Sequence, residues 1–219
     1  MRDNRPMADS RTAQSWTVVV PVKGTSAGKS RLAPGVDPET RMRLMQAFAS
    51  DAIAALLSSE AVERVIVVTE PASEAATVLA ALGADIVDDP RAGLNAAVAA
   101  GIARADPRAP VAALLGDLPS LVPDDVDLAL ERAQEHPLAF VPDAAGLGTT
   151  LITARAGDRL TPRYGEGSAA RHRAAGHHEL DLPAASGLRL DVDSEADLAR
   201  AVAHGVGPAT RSALALRTA

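Results

Sequence analysis

No cysteine occurs in the 219 residues, which removes disulfides, thiolate metal sites and cysteine nucleophiles together. Aromatic residues are nearly as scarce, at 2%, so any core must be filled by Ala, Val, Leu and Ile. The length suits one α/β domain that buries such a core without staples. Basic charge is not in surplus either. A formal net charge of −6 argues against a nucleic-acid partner, which requires a cationic face. It leaves room for a few Lys and Arg grouped around a nucleotide. No apolar run approaches the ~20 residues of a membrane span. Residues 1–14 are polar and lack a signal-like apolar stretch, so they are expected to be a disordered extension before a domain over 15–219. The expectation is a soluble, cytoplasmic protein with neither membrane nor nucleic acid as partner.

What is present is an alternation of strand-like and helix-like segments. Residues 16–22 (WTVVVPV) form a β-branched run of the kind buried on both faces. Asp37-Pro38-Glu39 reads as a helix start, with Asp37 as cap and Pro38 in the first turn. Strands are expected over 62–69, 84–87, 111–115, 138–141, 148–154, 179–182 and 188–192. Helices are expected over 74–82, 94–103, 123–134, 168–175 and 194–204. Such alternation means βαβ units, right-handed crossovers and a mostly parallel central sheet with helices on both faces. The later strands should extend or cover the same sheet.

Ligands in such sheets sit beyond the carboxyl ends of the strands, and three segments fall there. The first follows strand one and contains Lys23, Gly24, Gly28, Lys29, Ser30 and Arg31. Gly28-Lys29-Ser30 tempts a P-loop reading, but Gly24 and Gly28 enclose three residues where that motif needs four. Lys23, Lys29 and Arg31 suit a loop that faces a triphosphate and steadies the charge moving onto departing pyrophosphate. The second is Gly116-Asp117, at an apolar strand end, with Asp191-Val192-Asp193 at another. Asp117, Asp191 and Asp193 supply the carboxylate oxygens that Mg²⁺ takes alongside phosphates. Period two would put Asp191 and Asp193 on one face; the rival role for Asp193 is a helix cap, for which Ser194 competes. The third runs from Thr161 to His172, where two glycines lead into a helix expected to be capped by Ser168, with Arg171 one turn on. His172, His177 and His178 fit no usual zinc spacing and read as exposed. Asn95, early in a helix, can contact a base or ribose, or cap that helix.

Taken in order, these motifs resemble the family of 2-phospho-L-lactate guanylyltransferases. The likeness is nearest to the bacterial branch that uses phosphoenolpyruvate in building the deazaflavin coenzyme F-420. It rests on Val22-Lys23, Ala27 to Pro34, Leu94-Asn95, Gly116 to Pro119, Gly148-Thr149, Tyr164-Gly165 through His172, Asp191 to Asp193, Asp197-Leu198 and Gly205 to Thr210. The resemblance implies a single Rossmann-like nucleotidyltransferase domain of the glycosyltransferase-A type. It also implies GTP as donor, phosphoenolpyruvate or 2-phospho-L-lactate as acceptor, Mg²⁺ as cofactor, and a product handed to the next enzyme of the pathway. Asp117, Asp191 and Asp193 match its metal ligands; Thr149, Gly165 and Ser168 match its acceptor contacts. Lys23, Lys29 and Arg31 match its nucleotide-facing loop. Gly28 stands where Ala is common and Tyr164 where Phe is common; neither removes a group the reaction needs. The rivals are other small-molecule nucleotidyltransferases, of molybdopterin or cytidylyl type, and a non-catalytic nucleotide-binding protein.

Overall fold

A computed structural model describes residues 15–22 and 37–216, so the extension expected over 1–14 lies outside the described residues. The chain opens with β1 (Trp16–Pro21), whose six residues are all buried. α1 (Pro38–Leu57) begins where the Asp37 carboxylate accepts from Thr40 N at 2.9 Å, with Pro38 entering the first turn. The alternation continues through β2 (Val62–Thr69), α2 (Glu74–Leu82), β3 (Asp85–Asp88), α3 (Leu94–Ile102), β4 (Val111–Leu114), α4 (Pro123–Ala133) and β5 (Leu138–Pro142). It then changes character: β6 (Thr149–Ala154), α5 (Ser168–Ala174), β7 (His178–Glu179), α6 (Glu195–His204) and α7 (Pro208–Ala215).

All seven strands join one sheet in the order β3-β2-β1-β4-β6-β5-β7. The pairings of β1 with β2 and β4, β2 with β3, and β5 with β7 are parallel. β6 alone runs against both of its neighbours. Period-two alternation divides β1 between two cores. Val18 and Val20 pack with Ile53, Leu56, Leu79 and Leu130 on the side of α1, α2 and α4. Val19 packs on the opposite face, with Val98 of α3 and Ala169 of α5. A third cluster fastens α6 and α7 to α1: Leu44 and Phe48 meet Val192, Leu198, Ala201 and Val206. Asp51 of α1, buried, caps α7 from outside by accepting from Ala209 N at 2.9 Å and Thr210 N at 2.8 Å.

Three expectations are corrected here. Residues 188–192 are not a strand: Gly187–Arg189 forms a 3₁₀ turn, with Ser186 Oγ accepting from Leu188 N and Asp125 Oδ2 accepting from Gly187 N. Its apolar residues serve different cores, Leu188 joining the first cluster and Val192 the third, so their alternation does not mark a ladder. The strand expected over 179–182 is cut short at His178–Glu179; Leu180 N still donates to the Phe140 carbonyl at 2.9 Å, and the chain leaves the sheet before Pro183, which has no N–H to give. α7 was not expected at all. Among the described residues no helix is long and apolar enough to cross a membrane.

Candidate active site

Strand order reverses at β1: the chain proceeds to β2 on one side and returns to β4 on the other. A crevice beyond the strands' carboxyl ends at such a reversal is where open α/β sheets bind ligands. β1 ends at it, but Lys23, Lys29 and Arg31 lie outside the described residues. Beside it, β4 runs into Gly116, which lies against Val20, Val22 and the Pro21 carbonyl, and then into half-buried Asp117.

The acidic segments expected to converge do so. Val192 N donates to the Asp117 carbonyl at 3.1 Å, which seats Asp191 and Asp193 on either side of that bond. Val192 is fully buried, Asp191 half-buried and Asp193 exposed. One turn upstream the two segments touch again. A Cβ on Gly187 would stand 2.2 Å from the Ser120 carbonyl oxygen, so only glycine lets the 3₁₀ turn lie against the chain that follows Asp117. The convergence thus comes from a stitched loop rather than from a shared strand face. The cap of α6 is Ser194, in a reciprocal box with Asp197, and Asp197 Oδ2 also accepts from Asp193 N at 3.2 Å. The Asp193 carboxylate is therefore not the cap.

No group of three or more His, Asp or Glu side chains arranged to hold a metal occurs among the described residues. That is compatible with Mg²⁺, which takes only one or two protein carboxylates and completes its shell with water and substrate phosphates. Hard oxygens on two stitched segments fit that mode and not an all-protein cage.

β6 brings the other half of the site to the same rim, because its reversed direction puts its first residue beside the end of β4. Leu115 N donates to the Thr150 carbonyl at 2.9 Å. Between β5 and β6 the register shifts, so that Pro142 opposes Thr149 and Val141 opposes Leu151. This bulge re-aims Thr149: its side chain meets α5, Oγ1 lying 3.0 Å from His172 Nδ1. The hairpin is tied off by Asp143, whose carboxylate accepts from Leu147 N at 2.9 Å and Gly148 N at 2.8 Å. Asp143 went unnoticed in the sequence, where its spacing to Gly148 was the available signal.

The segment of Gly165 and Ser168 is joined to the β5–β6 hairpin by Ala169 N, which donates to the Leu147 carbonyl at 3.1 Å. Gly165 has φ +120°, a conformation that favours glycine, and the Arg171 guanidinium lies 3.0 Å from where its Cβ would be. Ser168 is buried and donates its backbone N–H to the Gly165 carbonyl at 3.0 Å. It does not cap α5. That position belongs to Gly167, in the left-handed region at φ 66°. Asn95, exposed near the start of α3, does not cap that helix, whose cap position belongs to Gly93. Its Nδ2 donates to the Tyr164 carbonyl at 3.1 Å, and its Oδ1 accepts from Tyr164 N at 2.8 Å. Tyr164 in turn donates from its hydroxyl to the Ala113 carbonyl at 2.8 Å. Burial first, and then the Asp117 charge, raises its phenol far above the ordinary range, so this donor stays protonated.

Of the three histidines expected to be exposed, only His178 is. His172 is fully buried and His177 nearly so. The His172 ring packs edge-on against Tyr164 and His177, with centroids 5.5 and 5.2 Å away. Its Nε2 faces Arg163 N at 3.1 Å. Burial, followed by the proximity of His177, Arg171 and Arg163, brings its pKa down to about 4.

Against known proteins, a model of the family described as "Guanylyl transferase CofC like" matches residues 16–217. The phosphoenolpyruvate guanylyltransferase of Streptomyces coelicolor is 50% identical over 204 residues, 91% of this chain and 96% of that one. The enzyme of the same name from Streptomyces avermitilis is 50% identical over 205 residues, 91% and 94% respectively. Among solved structures, a nucleotidyl transferase from Methanothermobacter superposes with a TM-score of 0.58 at 19% identity, covering 87% of this chain and 97% of its own. A manganese complex of a Mycobacterium tuberculosis protein superposes at 0.53 with 22% identity, covering 88% and 100%. At such identities these two speak for the fold.

Proposed function

The chain belongs to the guanylyl transferase CofC-like family, and on that premise we propose that its crevice joins the guanylyl group of GTP to phosphoenolpyruvate. The products are enolpyruvyl-diphospho-guanosine and pyrophosphate. Phosphoenolpyruvate is preferred over 2-phospho-L-lactate because it is the acceptor in the names of the Streptomyces relatives.

An oxygen of the acceptor's phosphate forms a bond to the α-phosphorus of GTP. The bond from that phosphorus to the bridging oxygen breaks, and pyrophosphate leaves with the electron pair. An acceptor phosphate is already anionic at neutral pH, so no protein nucleophile or strong base is needed. What the chain contributes is position and charge. Asp117 with one of Asp191 and Asp193 would hold Mg²⁺, which when bound would supply neutralisation of the phosphate charges. Lys23, Lys29 and Arg31 would face the triphosphate from the segment after β1. Thr149, Gly165 and Ser168 would hold the phospho-acid. In this reading Asn95 works at one remove, by fixing Tyr164 and so the entry to the Gly165 loop.

The observation that carries the reading is the Val192–Asp117 backbone bond at 3.1 Å, since it brings two acidic segments distant in sequence together where β4 ends. The test is pyrophosphate release from GTP and Mg²⁺ with phosphoenolpyruvate, 2-phospho-L-lactate or phosphoglycerate in turn. Asp117→Asn should lower kcat about 10²-fold or more while leaving the fold intact, the scale of losing one charge-stabilising group. Near-normal turnover would reject the metal role.

A further inference from the structure

The geometry points to His172 as a positioning residue that orients the Thr149 hydroxyl, leaving its hydrogen to be given to an anionic oxygen of the acceptor. Proton counting fixes the tautomer of the ring. A backbone N–H can only donate, so the contact from Arg163 N at 3.1 Å makes His172 Nε2 an acceptor. A neutral imidazole with a lone pair on Nε2 carries its hydrogen on Nδ1. Nδ1–H therefore donates to Thr149 Oγ1 at 3.0 Å, and the hydroxyl serves as acceptor in that bond. The imidazolium form would turn a second N–H against Arg163 N. The ring's complete burial and its low pKa both keep it neutral.

A hydroxyl has one hydrogen to give. With His172 supplying the bond that Thr149 receives, that hydrogen has no acceptor among the described residues, although Thr149 is only 3% exposed. A buried donor left in this state is costly unless a ligand takes it up. The β5–β6 bulge turns Thr149 off the alternating face it would otherwise occupy and toward His172. Two anchors hold the ring's other partner: Arg163 precedes Tyr164, whose backbone Asn95 clamps on both sides. One imidazole thus links the loop carrying Gly165 and Ser168 to the strand carrying Thr149. It selects the direction in which the threonine donates.

The inference rests on Thr149 as an acceptor contact, and the experiment separates the two. Asn at position 172 can place an amide N–H where Nδ1 stands but offers Arg163 N nothing. Gln can place a carbonyl oxygen where Nε2 stands but gives Thr149 no donor. Steady-state kinetics of pyrophosphate release should show His172→Gln raising the KM for phosphoenolpyruvate about tenfold or more, the scale of a hydrogen bond to a charged group. The KM for GTP should stay within about twofold in that variant, and His172→Asn, which keeps a donor to Thr149, should raise the phosphoenolpyruvate KM several-fold less than His172→Gln does. Thr149→Val should raise the phosphoenolpyruvate KM as His172→Gln does, and the double variant should be no worse than Thr149→Val alone. If Thr149→Val leaves that KM unchanged, the acceptor assignment fails and the inference with it. If Thr149→Val impairs the enzyme but the Gln and Asn variants behave alike, or the two sites add, His172 is merely structural. A readout free of any folding defect is ¹⁵N-histidine NMR of the wild-type protein. A proton on Nδ1 of His172 is required, and one on Nε2 overturns the proposal.

Discussion

Acidification from pH 7 to pH 5 probes the buried imidazole directly. In the unfolded chain His172 titrates near its ordinary value of 6.5, and in the folded chain near 4. Between those values the unfolded state binds a proton that the folded state refuses. The stability owed to the neutral ring is thus complete above pH 6.5 and is lost as pH falls toward 4. One pH unit inside the window is worth about 1.4 kcal/mol. The loss is therefore about 2 kcal/mol by pH 5 and about 3 kcal/mol at the lower limit. His177, also lowered chiefly by burial, acts in the same sense. Carboxylates titrate lower but overlap, so the measurement must be a difference. Urea unfolding of the wild type and of His172→Gln at several pH values isolates the ring. The stability gap between the two should narrow by about 2 kcal/mol from pH 7 to pH 5. A gap that does not change with pH would refute the reasoning, because the wild-type ring would then be accepting its proton without penalty.

Two further perturbations probe how the site is held. Gly187→Ala forces a methyl to within 2.2 Å of the Ser120 carbonyl oxygen; it should cost about 1–3 kcal/mol and lower kcat by displacing the Asp191–Asp193 segment, which unfolding curves and pyrophosphate release would report. Asp51→Ala strands the buried N–H groups of Ala209 and Thr210 and should cost about 2–4 kcal/mol, read as a fall of several degrees in Tm. Asp51→Asn, which keeps an acceptor, should lose less.

The sequence reveals most where the cause is local. β1 is legible because a β-branched run has few alternatives, and α1 because Asp37 and Pro38 are both cap and punctuation. Asp117, Asp191 and Asp193 are singled out on chemical grounds, as acidic residues ending apolar runs, and the structure brings their two segments into contact. The misreadings share a physical origin in partners far along the chain. α7 starts under a cap that comes from Asp51, 158 residues before Ala209. The run LRLDV alternates like a strand, yet its apolar members serve separate cores. Ser168 looked like the cap of α5 because serine often is one, whereas the left-handed backbone at Gly167 is decided by the loop's fit. His172 stands amid Arg and Ala, a polar setting that hides its burial against Tyr164 and Phe140. Asn95 drew notice for its amide, but its partner 69 residues away could not be read from spacing.

The reversed strand has a consequence for how such an enzyme can change its diet. Had β6 run with its neighbours, Thr149 would emerge at the opposite rim, and the phospho-acid would need a separate lobe that folds over to meet the nucleotide. Because it runs backward, everything proposed to grip the acceptor comes from a single later stretch, while the triphosphate loop and Asp117 come from the earlier winding. In the proposed reading the two substrates are thereby handled by separable lengths of chain. Grafting residues 143–176 from a homologue of different acceptor preference is the natural way to retune this scaffold, with the guanylyl half left as it stands.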